Sequence, residues 1–410
     1  MNVLYIAYSC SPSHGSEDKI GWQIPWESSR WNQVYVITKE EQRPFVEAYL
    51  KEHPRQHLHF FYVDIPSVYK KIYKGCFYSG RLNIWHRRAL PVAEKICREY
   101  GISVIHQITP VEFRAIGNYG SIPGVRFVCG PVGGGEFVPE GLRHYGKGNS
   151  HLELIRRTAN AWSKVQLRKK KILSRCDCIL FANAETKNDL CPDGEDAGYS
   201  VMPEIGIAVP EEINPSHETT SGEKPCRFLV AGRLVYRKGH AFLLDALEEL
   251  PEDLAYECRI VGSGPEADRL RRRCNDNQKL SEHVVFRGNV SFAQMQEEYG
   301  DADVLIMPSL RETTGTVVLE AMSQGLPVIT INRFGAKNIL TEETGWLYDG
   351  SSRESFVAAL RQAFMDCISR PEEISRRGAK ARLRAKDFAW EKKMAYYQSL
   401  YEAVCGSPKE

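Results

Sequence analysis

The sequence predicts an α/β protein with two parallel β-sheets, each covered by helices. Three observations support this prediction. Short apolar runs alternate with helical or polar stretches, the alternation stops at the polar, proline-containing residues 209–225, and it then begins again. Strands that alternate with helices form parallel sheets covered on both faces. The predicted fold class is therefore two Rossmann-like domains joined by a linker.

The predicted strands are short runs rich in apolar residues. Those of the first half are Val3–Ala7, Val34–Ile37, Leu58–Val63, Ile102–Ile105, Arg126–Cys129 and Cys178–Phe181. Those of the second half are Arg227–Ala231, Cys258–Val261, Val284–Phe286, Val304–Met307 and Val328–Ile331. In the second half, Leu243, Leu247 and Leu250 recur at helical spacing and predict a helix over His240–Leu250. Ligands of such sheets bind beyond the carboxyl ends of the strands, where we expect the functional site.

Composition argues against several classes of function. The formal net charge is +2, so no overall field selects nucleic acid. The chain has no run of about 18 apolar residues, so we expect no transmembrane helix, and its first ten residues read as a strand rather than a signal peptide. The 12 cysteines are scattered, as in a reduced cytosolic protein, so we expect a cytoplasmic location.

A basic loop follows the predicted strand Arg227–Ala231. Gly232 allows a tight exit from the strand, and Arg233 and Lys238 then lie on one short loop at the edge of the sheet. A guanidinium and an ammonium at that place can neutralise a diphosphate. The alternative is a solvated basic loop before a helix, because basic loops are common.

Two further strand ends contain glycine. Residues 261–265, VGSGP, include Gly264 but lack the third glycine of a dinucleotide fingerprint. Residues 286–290, FRGNV, place Gly288 where its backbone can line a nucleobase. An ordinary turn between strand and helix explains each of these stretches equally well.

The strongest motif is RETTGTVVLEAMSQG, residues 311–325. Gly315 and Thr316 open a helix whose free N–H groups can bind phosphate oxygens. Glu320 lies about one turn further in, where its carboxylate can accept hydrogen bonds from ribose hydroxyls, and Glu312 can reach sugar hydroxyls. Either glutamate alone would be explained as a surface residue near a helix start, where negative charge is favoured. The preceding strand, the glycine and the spacing argue against that alternative.

In this order, the motifs resemble those of the retaining glycosyltransferases of the GT-B fold, in the group marked by E-x7-E and often called glycosyltransferase family 4. The pieces that carry the resemblance are GRL…RKG, GSGP, FRGNV, ADVLIMPS, E-x7-E, EAMSQGLPVI, FGAKNIL and TGWLYDG. The resemblance is strong over residues 226–349 and loose elsewhere. It implies two Rossmann-like domains that face each other across a deep cleft, with a C-terminal helix that crosses back to the first domain.

The resemblance implies a division of the chain and a role for each motif. Residues 1–215 would form the acceptor-side domain, residues 222–386 the nucleotide-sugar-binding domain, and residues 387–410 the crossover helix. Arg233 and Lys238 would bind the diphosphate, to which the N–H groups of the helix start also donate. The first glutamate of the motif would contact the donor sugar and the second the ribose.

The stretch SPSHGSEDKIGW, residues 11–22, resembles the glycine loop that in this family closes over the donor diphosphate. Its key residues would be Gly15, Ser16 and Glu17, because a larger side chain at the glycine would collide with sugar or phosphates. A flexible surface loop is the alternative.

A second glycine-rich stretch, GPVGGGEFVPEG, follows the predicted strand Arg126–Cys129. Three consecutive glycines lose much backbone entropy on folding, so we expect a purpose beyond packing. Gly133, Gly134 and Glu136 are predicted to line a pocket for a sugar or an acceptor. A mobile loop is the alternative.

One position departs from the family pattern. Many members have a histidine at the end of the fourth strand that touches the donor sugar. Here Ile108 or Thr109 occupies that position in the best register, and His106 precedes it. His106 either substitutes for the missing histidine or is a buried core residue.

The tripeptide Asp301-Ala302-Asp303 spells the DxD metal motif of another glycosyltransferase fold. This family does not use it in that way, and we interpret Asp301 and Asp303 as a helix end and a strand entry. We predict no metal, and no cofactor other than a nucleotide sugar as co-substrate.

Two basic stretches remain. Residues 69–88 mix Lys and Arg with Tyr, Phe and Trp, which suits an anionic membrane surface. The alternative is an amphipathic helix packed on its own sheet. Residues 164–175 are expected to form the solvated face of a long helix, and no nucleic-acid-binding motif accompanies either stretch.

Together these features predict a metal-independent, retaining glycosyltransferase. We expect a UDP-sugar as donor, with GDP-mannose second, and a glycan or lipid-linked glycan as acceptor in cell-surface polysaccharide synthesis at the inner face of the cell membrane. One alternative is a non-catalytic nucleotide-sugar-binding subunit, and another is a synthase that acts on a small soluble acceptor. An NAD-dependent oxidoreductase is disfavoured because no G-x-G-x-x-G follows the first strand.

Overall fold

The chain folds into two units whose sequence segments interleave. A computed structural model describes residues 1–13, 15, 17–72, 78–142, 150–191, 199–211 and 225–407. The N-terminal unit comprises residues 1–135, 155–206 and 390–410. The C-terminal unit comprises residues 136–154 and 207–389.

The N-terminal unit is built on one sheet of seven parallel strands. The strands are β1 (Asn2–Ala7), β2 (Gln33–Lys39), β3 (Leu58–Val63), β4 (Val104–Thr109), β5 (Arg126–Val132), β6 (Cys178–Phe181) and β7 (Tyr199–Val201). They lie in the order β3-β2-β1-β4-β5-β6-β7. The helices before residue 206 are α1 (Glu17–Ser28), α2 (Arg43–Glu52), α3 (Ser67–Ile72), α4 (Tyr78–Tyr100), α5 (Ser150–Lys169, within this unit from residue 155) and α6 (Ala184–Leu190).

The C-terminal unit is built on a second sheet of six parallel strands. The strands are β8 (Cys226–Ala231), β9 (Tyr256–Val261), β10 (Val284–Gly288), β11 (Val304–Met307), β12 (Val328–Ile331) and β13 (Gly345–Tyr348). They lie in the order β10-β9-β8-β11-β12-β13. The helices are α7 (His240–Glu248), α8 (Ala267–Asn275), α9 (Gln278–His283), α10 (Phe292–Asp301), α11 (Thr316–Ser323), α12 (Phe334–Ile339), α13 (Arg353–Ser369) and α14 (Pro371–Ala385).

Each sheet has its own apolar core. Strands β11 and β12 are buried along their whole length, as expected for central parallel strands covered on both faces. In the C-terminal unit, Phe228 of β8 packs edge-on against Phe364 of α13, with 4.6 Å between ring centroids. In the N-terminal unit, Trp85 of α4 packs edge-on against Tyr8 after β1, at 5.2 Å. The two parallel sheets predicted from the sequence are confirmed.

The last helix, α15 (Trp390–Gly406), belongs to the N-terminal unit. Trp390 lies against Gly206, where an added Cβ would come within 2.7 Å of the indole ring. The buried Lys393 ammonium donates a hydrogen bond to the Pro203 carbonyl at 2.6 Å. The Tyr401 hydroxyl lies 3.1 Å from the Tyr5 hydroxyl of β1, so the helix is attached to the sheet by both polar and aromatic contacts.

The strand orders fix where a site can form. In each sheet the order reverses at one place, between β1 and β4 in the N-terminal unit and between β8 and β11 in the C-terminal unit. At such a switch point the connections leave in opposite directions, which opens a crevice beyond the carboxyl ends of the two strands. The loops after β8 and β11 are therefore brought together, although they are far apart in sequence.

Three strand predictions differ from the structure. The strand predicted at Ile102–Ile105 is β4, which begins at Val104 and continues to Thr109. The error arose because the second half of β4 contains polar residues that are buried, so the apolar run ends before the strand does. Strands β7, of three residues, and β13, of four residues, were not predicted.

In residues 69–88, of which positions 73–77 lie outside the described residues, the aromatic side chains are partly exposed and partly buried, so contact with an anionic membrane stays a prediction. Tyr69 and Tyr78 are exposed. Trp85 is fully buried and its indole N–H donates to the Val63 carbonyl at 2.9 Å. The Lys70 ammonium lies 2.7 Å from the Asp64 carboxylate, and Arg81 lies 3.4 Å from Glu41. The alternative, an amphipathic helix packed on its own sheet, describes α4.

Within the part of the chain that the structure describes, no helix is long and apolar enough to cross a membrane. The two aspartates of the DxD tripeptide make ion pairs with arginines. Asp303 accepts a hydrogen bond from the Arg227 N–H at 2.7 Å and pairs with the Arg227 guanidinium, and Asp301 lies 3.6 Å from Arg259. These pairs attach the end of α10 and the start of β11 to β8 and β9.

Candidate active site

Three adjacent strands of the C-terminal sheet end in glycines with positive φ. Gly232 after β8, Gly262 after β9 and Gly288 at the end of β10 have φ of 147°, 128° and 70°. The Gly262 N–H donates to the Gly288 carbonyl at 2.7 Å, and the Gly232 N–H donates to the Val261 carbonyl at 3.0 Å. A Cβ on Gly262 would lie 2.0 Å from the Gly232 carbonyl oxygen. The strand ends can approach this closely only because the side chains are absent, and they leave bare backbone facing a ligand.

A cavity of about 500 Å³ opens beyond these strand ends. It is lined by residues of the loops after β8, β9 and β10, among them Arg233, Ser263 and Asn289, and by residues of α10 and α11, among them Phe292, Val317 and Glu320. The apolar side chains can cover the faces of a planar ring, and the polar groups can fix its orientation. This volume and this mixture are typical of a small-molecule site.

Glu320 is the acidic group of this cavity. It is the fifth residue of α11, and its Oε2 accepts a hydrogen bond of 2.9 Å from the Tyr299 hydroxyl of α10. Tyr299 is fully buried, so the bond holds the carboxylate in one orientation from behind. Glu320 lines the cavity, where a carboxylate can accept hydrogen bonds from a diol. No sequence motif indicated Tyr299, which lies 21 positions before its partner.

A buried ion pair joins the loops after β8 and β11. The Lys238 ammonium contacts Glu312 Oε2, and the side chains of both residues are 14% exposed. Arg237 lies 3.8 Å and the Ser309 hydroxyl 3.5 Å from the same carboxylate oxygen. Burial alone would raise the pKa of Glu312, but the charges of Lys238 and Arg237 outweigh it and lower the pKa. Glu312 is therefore ionised at neutral pH.

Backbone contacts position this ion pair. The N–H groups of Leu310 and Arg311 both donate to the Arg237 carbonyl, at 2.8 and 3.3 Å. Gly239, with φ of 71°, follows Lys238 and passes so close to the second loop that a Cβ would lie 1.8 Å from the Pro308 carbonyl oxygen. The switch point thus places a cation and a carboxylate side by side, 74 residues apart in sequence.

Three further residues of this unit were predicted to bind the nucleotide sugar, namely Gly315, Thr316 and Gly264, and all three lie at or beside loops that follow strands. Gly315 has φ of 78° and precedes Thr316, the first residue of α11, so the free N–H groups of this helix begin there. Gly264 packs on the basic loop, since a Cβ would lie 2.3 Å from the Leu234 carbonyl oxygen. Gly264 therefore allows the loop after β9 to pack closely on the loop after β8. The glycine of this loop that lines the cavity is Gly262.

In the N-terminal unit the glycine loop lies at the corresponding switch point. Gly15 is exposed, with no neighbouring atom within 4 Å of a built Cβ, and Ser16 lies outside the described residues. The Glu17 carboxylate accepts hydrogen bonds from the Val111 N–H at 2.5 Å and the Ser9 hydroxyl at 3.4 Å. Burial raises the pKa of Glu17. Glu17 thus ties the loop after β1 to the loop after β4.

Two of the three consecutive glycines after β5 have packing reasons that the sequence did not reveal. Gly134, with φ of 104°, passes so close to Glu112 that a Cβ would lie 2.2 Å from its carboxylate, and a Cβ on Gly135 would lie 2.7 Å from Thr186 Cα. Gly133 accepts a hydrogen bond from the Phe113 N–H at 3.0 Å. Gly133, Gly134 and Glu136 are buried, and their role in a sugar or acceptor pocket stays a prediction.

His106 is a core residue and does not line a pocket. It is fully buried in β4, with its Nε2 2.7 Å from the Gly130 carbonyl and its Nδ1 2.6 Å from the Tyr401 hydroxyl. A carbonyl can only accept, so Nε2 carries the proton and Nδ1 accepts from the tyrosine. Burial lowers the pKa of His106 to about 3. Of the two interpretations of this histidine, the structure supports the core residue.

The position of His106 predicts an effect on stability that depends on pH. Its pKa is about 3 in the folded chain against 6.5 for an ordinary histidine, so its contribution is complete above about pH 6.5 and is lost as the pH falls towards 3. We expect His106→Gln to have a lower melting temperature than wild type at pH 7. As the pH falls, the difference in free energy of unfolding between the two proteins should shrink, by up to about 1.4 kcal/mol per pH unit. Thermal unfolding of both proteins between pH 4 and pH 8 measures this. A deficit that does not change with pH would contradict it.

Part of the chain is similar in sequence to known proteins. Residues 214–381 match the family model described as glycosyl transferases group 1. The chain is 33% identical over 172 residues to a sulfoquinovosyl transferase of Arabidopsis thaliana, which covers 41% of this chain and 31% of that protein. It is 32% identical over 175 residues to a GDP-mannose-dependent α-(1-6)-phosphatidylinositol monomannoside mannosyltransferase of Mycolicibacterium smegmatis, covering 40% and 44% of the two chains. These matches span less than half the length of either relative.

Solved structures match over nearly the whole chain. The lipopolysaccharide outer core galactosyltransferase WaaB superimposes with a TM-score of 0.67 and 15% identity, over 98% of this chain and 99% of that one. Anabaena HepE in complex with UDP-glucose superimposes with a TM-score of 0.62 and 15% identity, over 98% and 100%. At this identity the likeness establishes the fold, which is the GT-B fold with two Rossmann-like sheets.

Proposed function

We propose that this chain, whose residues 214–381 match the group 1 glycosyl transferases, moves a sugar from a nucleoside diphosphate sugar to an acceptor hydroxyl with retention of configuration. The observation that carries the proposal is the Lys238–Glu312 pair at the switch point of the C-terminal sheet, in the same unit as the cavity that contains Glu320. A carboxylate for ribose, a cation for phosphate and a carboxylate for sugar hydroxyls are the groups that such a donor requires.

Each residue has a role in this proposal. The nucleoside occupies the cavity, with its ribose diol on Glu320. The diphosphate lies between the start of α11, at Gly315 and Thr316, and the cations Arg233 and Lys238. The sugar lies beside Glu312, which the lysine keeps ionised so that it accepts hydrogen bonds from the hydroxyls.

The proposed reaction needs no protein nucleophile. The bond between the anomeric carbon and the diphosphate oxygen breaks, and the acceptor oxygen bonds to the same face of that carbon. The acceptor proton passes to the departing phosphate oxygen. Each bond that forms is thus matched by one that breaks, and the reaction requires no metal. Lys238, Arg233 and the helix N–H groups stabilise the negative charge that develops on the diphosphate, which is electrostatic help of the kind given by an oxyanion hole.

A UDP-sugar is the proposed donor, and GDP-mannose is the second choice. The UDP-glucose complex of Anabaena HepE supports the first, since it shares this fold, and the GDP-mannose-dependent Mycolicibacterium relative supports the second. The proposed acceptor is a glycan or lipid-linked glycan in cell-surface polysaccharide synthesis, at the inner face of the cell membrane. The lipopolysaccharide galactosyltransferase of similar fold supports that choice.

A thermal-shift panel of UDP, GDP, ADP, CDP and dTDP, each with and without EDTA, tests the donor proposal. We expect one nucleotide, UDP, to raise the melting temperature, and EDTA to leave the shift unchanged. Stabilisation by GDP alone would replace UDP by GDP-mannose. If EDTA abolished the thermal shift, the metal-independent mechanism would be contradicted. If no nucleotide raised the melting temperature, the proposed transferase activity would be contradicted and a scaffold role favoured.

Glu320 provides a separate test of the cavity. We expect Glu320→Gln to weaken nucleotide binding by about tenfold, because a charged acceptor for two ribose hydroxyls contributes roughly 1.5–3 kcal/mol. The control is Glu297→Gln, which changes an exposed glutamate on the neighbouring α10 and should leave binding unchanged. Isothermal titration calorimetry measures both. Equal dissociation constants for the two variants would exclude Glu320 from the ribose site.

A further inference from the structure

Helix α5 exposes a large apolar surface to solvent in the N-terminal unit. Ile155, Trp162 and Val165 are 44%, 65% and 60% exposed. Successive helical residues are about 100° apart, so these three, with Thr158 and Lys169, lie on one stripe spaced by three and four residues. Exposed tryptophan is costly in water unless something covers it. We call this stripe the α5 outer face.

The opposite side of α5 is held to the protein by polar contacts. Arg156 and Asn160 both donate hydrogen bonds to the Gly134 carbonyl, at 2.8 and 2.9 Å. The Lys164 ammonium contacts the Asp189 carboxylate at 2.7 Å, and Leu167 reaches the apolar core. An ordinary surface helix turns its apolar side inward and its polar side outward. In α5, polar side chains make most of the contacts with the protein, and apolar side chains face solvent. The α5 outer face is therefore suited to bind another apolar surface.

The positive charge of residues 155–171 indicates what kind of surface the α5 outer face binds. Residues 155–171 contain seven Lys and Arg and no Asp or Glu, whereas the whole chain has a formal charge of only +2. Arg168, Lys169, Lys170 and Lys171 are consecutive and all exposed, at the end of the α5 outer face. An apolar stripe with tryptophan, followed by a cationic cluster, matches the acyl boundary and the phosphates of an anionic bilayer.

We infer that the α5 outer face binds an anionic lipid surface. Ile155, Trp162 and Val165 enter the boundary between headgroups and acyl chains, and residues 168–171 contact lipid phosphates. This surface is separate from residues 69–88, and its cationic end falls within residues 164–175, which were expected to form the solvated face of a long helix. The inference does not depend on sugar transfer, although it would hold the protein where a lipid-linked acceptor is found.

Flotation of the full chain with vesicles tests this inference. We expect binding to vesicles of phosphatidylglycerol and phosphatidylcholine, weakened by salt, and little binding to phosphatidylcholine alone. Trp162→Ser with Val165→Ser should reduce the partition coefficient by about tenfold or more. Lys169→Gln with Lys170→Gln should reduce it by roughly 25-fold, since each cation near an anionic surface contributes about a factor of five. Trp31→Ser is the matched control, because Trp31 is 58% exposed in the same unit and should bind as the wild type does.

Nucleotide-induced thermal shifts in the same variants separate this inference from the proposed function. Because the substitutions lie on an exposed helix face, we expect melting temperature and nucleotide shift to stay unchanged while vesicle binding falls. Wild-type protein that fails to float with anionic vesicles would overturn the inference, as would a serine variant that binds as well as wild type. Wild-type dimers that dissociate on Trp162→Ser, with no vesicle binding, would show instead that a second copy covers the α5 outer face.

Discussion

Lys238→Ala will lower kcat for sugar transfer by about 100- to 1000-fold. The lysine supplies a positive charge that does not have to reorganise when the diphosphate departs, and loss of one such group typically raises the barrier by roughly 2.7–4 kcal/mol. The substitution also leaves the more distant Arg237, at 3.8 Å, as the cation beside the Glu312 carboxylate. We expect the pKa of Glu312 to rise, so the residual activity of the variant should fall more steeply on the acid side.

Two further variants complete this test. Glu312→Ala should be similarly inactive, because it removes the sugar contact and leaves the lysine unpaired. The double variant should lose less than the product of the two single losses, since the two groups act as one unit. Lys337→Ala, at an exposed lysine of α12 in the same unit, is the matched control and should keep full activity. Full activity in both Lys238→Ala and Glu312→Ala would refute the proposed site.

Gly262→Ala will destabilise the C-terminal unit and abolish nucleotide binding. The new Cβ would lie 2.0 Å from the Gly232 carbonyl oxygen, on a backbone with φ of 128° that residues with side chains rarely adopt. Strain and overpacking each cost roughly 1–3 kcal/mol, so we expect a loss of about 3 kcal/mol and a melting temperature lower by about 6–12 °C.

Gly300→Ala is the matched control for this substitution. Gly300 lies in α10 of the same unit, no atom lies within 4 Å of a built Cβ, and helical alanine is favoured over glycine. We expect it to raise stability by about 0.5–1 kcal/mol and to keep nucleotide binding. Differential scanning calorimetry of both variants measures the contrast. A Gly262→Ala protein that melts and binds UDP like wild type would show that the glycine floor is not required.

Much of the fold could be read from local sequence, and the exceptions have a common cause. Apolar runs located 11 of the 13 strands found in the described residues. Strand β4 was placed too early because His106 and Thr109 are polar yet buried in a central strand, each with hydrogen bonds from distant residues. No local pattern shows that such partners exist. The assignment of residues 136–154 to the C-terminal unit likewise depends on long-range packing, for which the sequence offered no signal.

The candidate site was predicted as separate pieces. The basic loop and the two glutamates carry their chemistry in short motifs, so each could be found from the sequence alone. Their juxtaposition follows from the strand order, which places β8 beside β11. Tyr299 was missed because its only sign is a contact across helices. The glycines at 133–135 were given a functional reason, whereas packing against Glu112 and Thr186 accounts for two of them.

The central claim is that this chain transfers a sugar, with retention, from a donor bound at the β8, β9 and β10 ends. The most direct test is to incubate the protein and its Lys238→Ala variant with UDP- and GDP-sugars and a panel of glycan acceptors. Nucleoside diphosphate release is measured, and the anomeric configuration of the product is read by proton NMR. We expect wild type to release the nucleoside diphosphate at least about 100-fold faster than Lys238→Ala, and an α-linked donor to give an α-linked product. Donor binding without release with any acceptor, or a β-linked product, would contradict it.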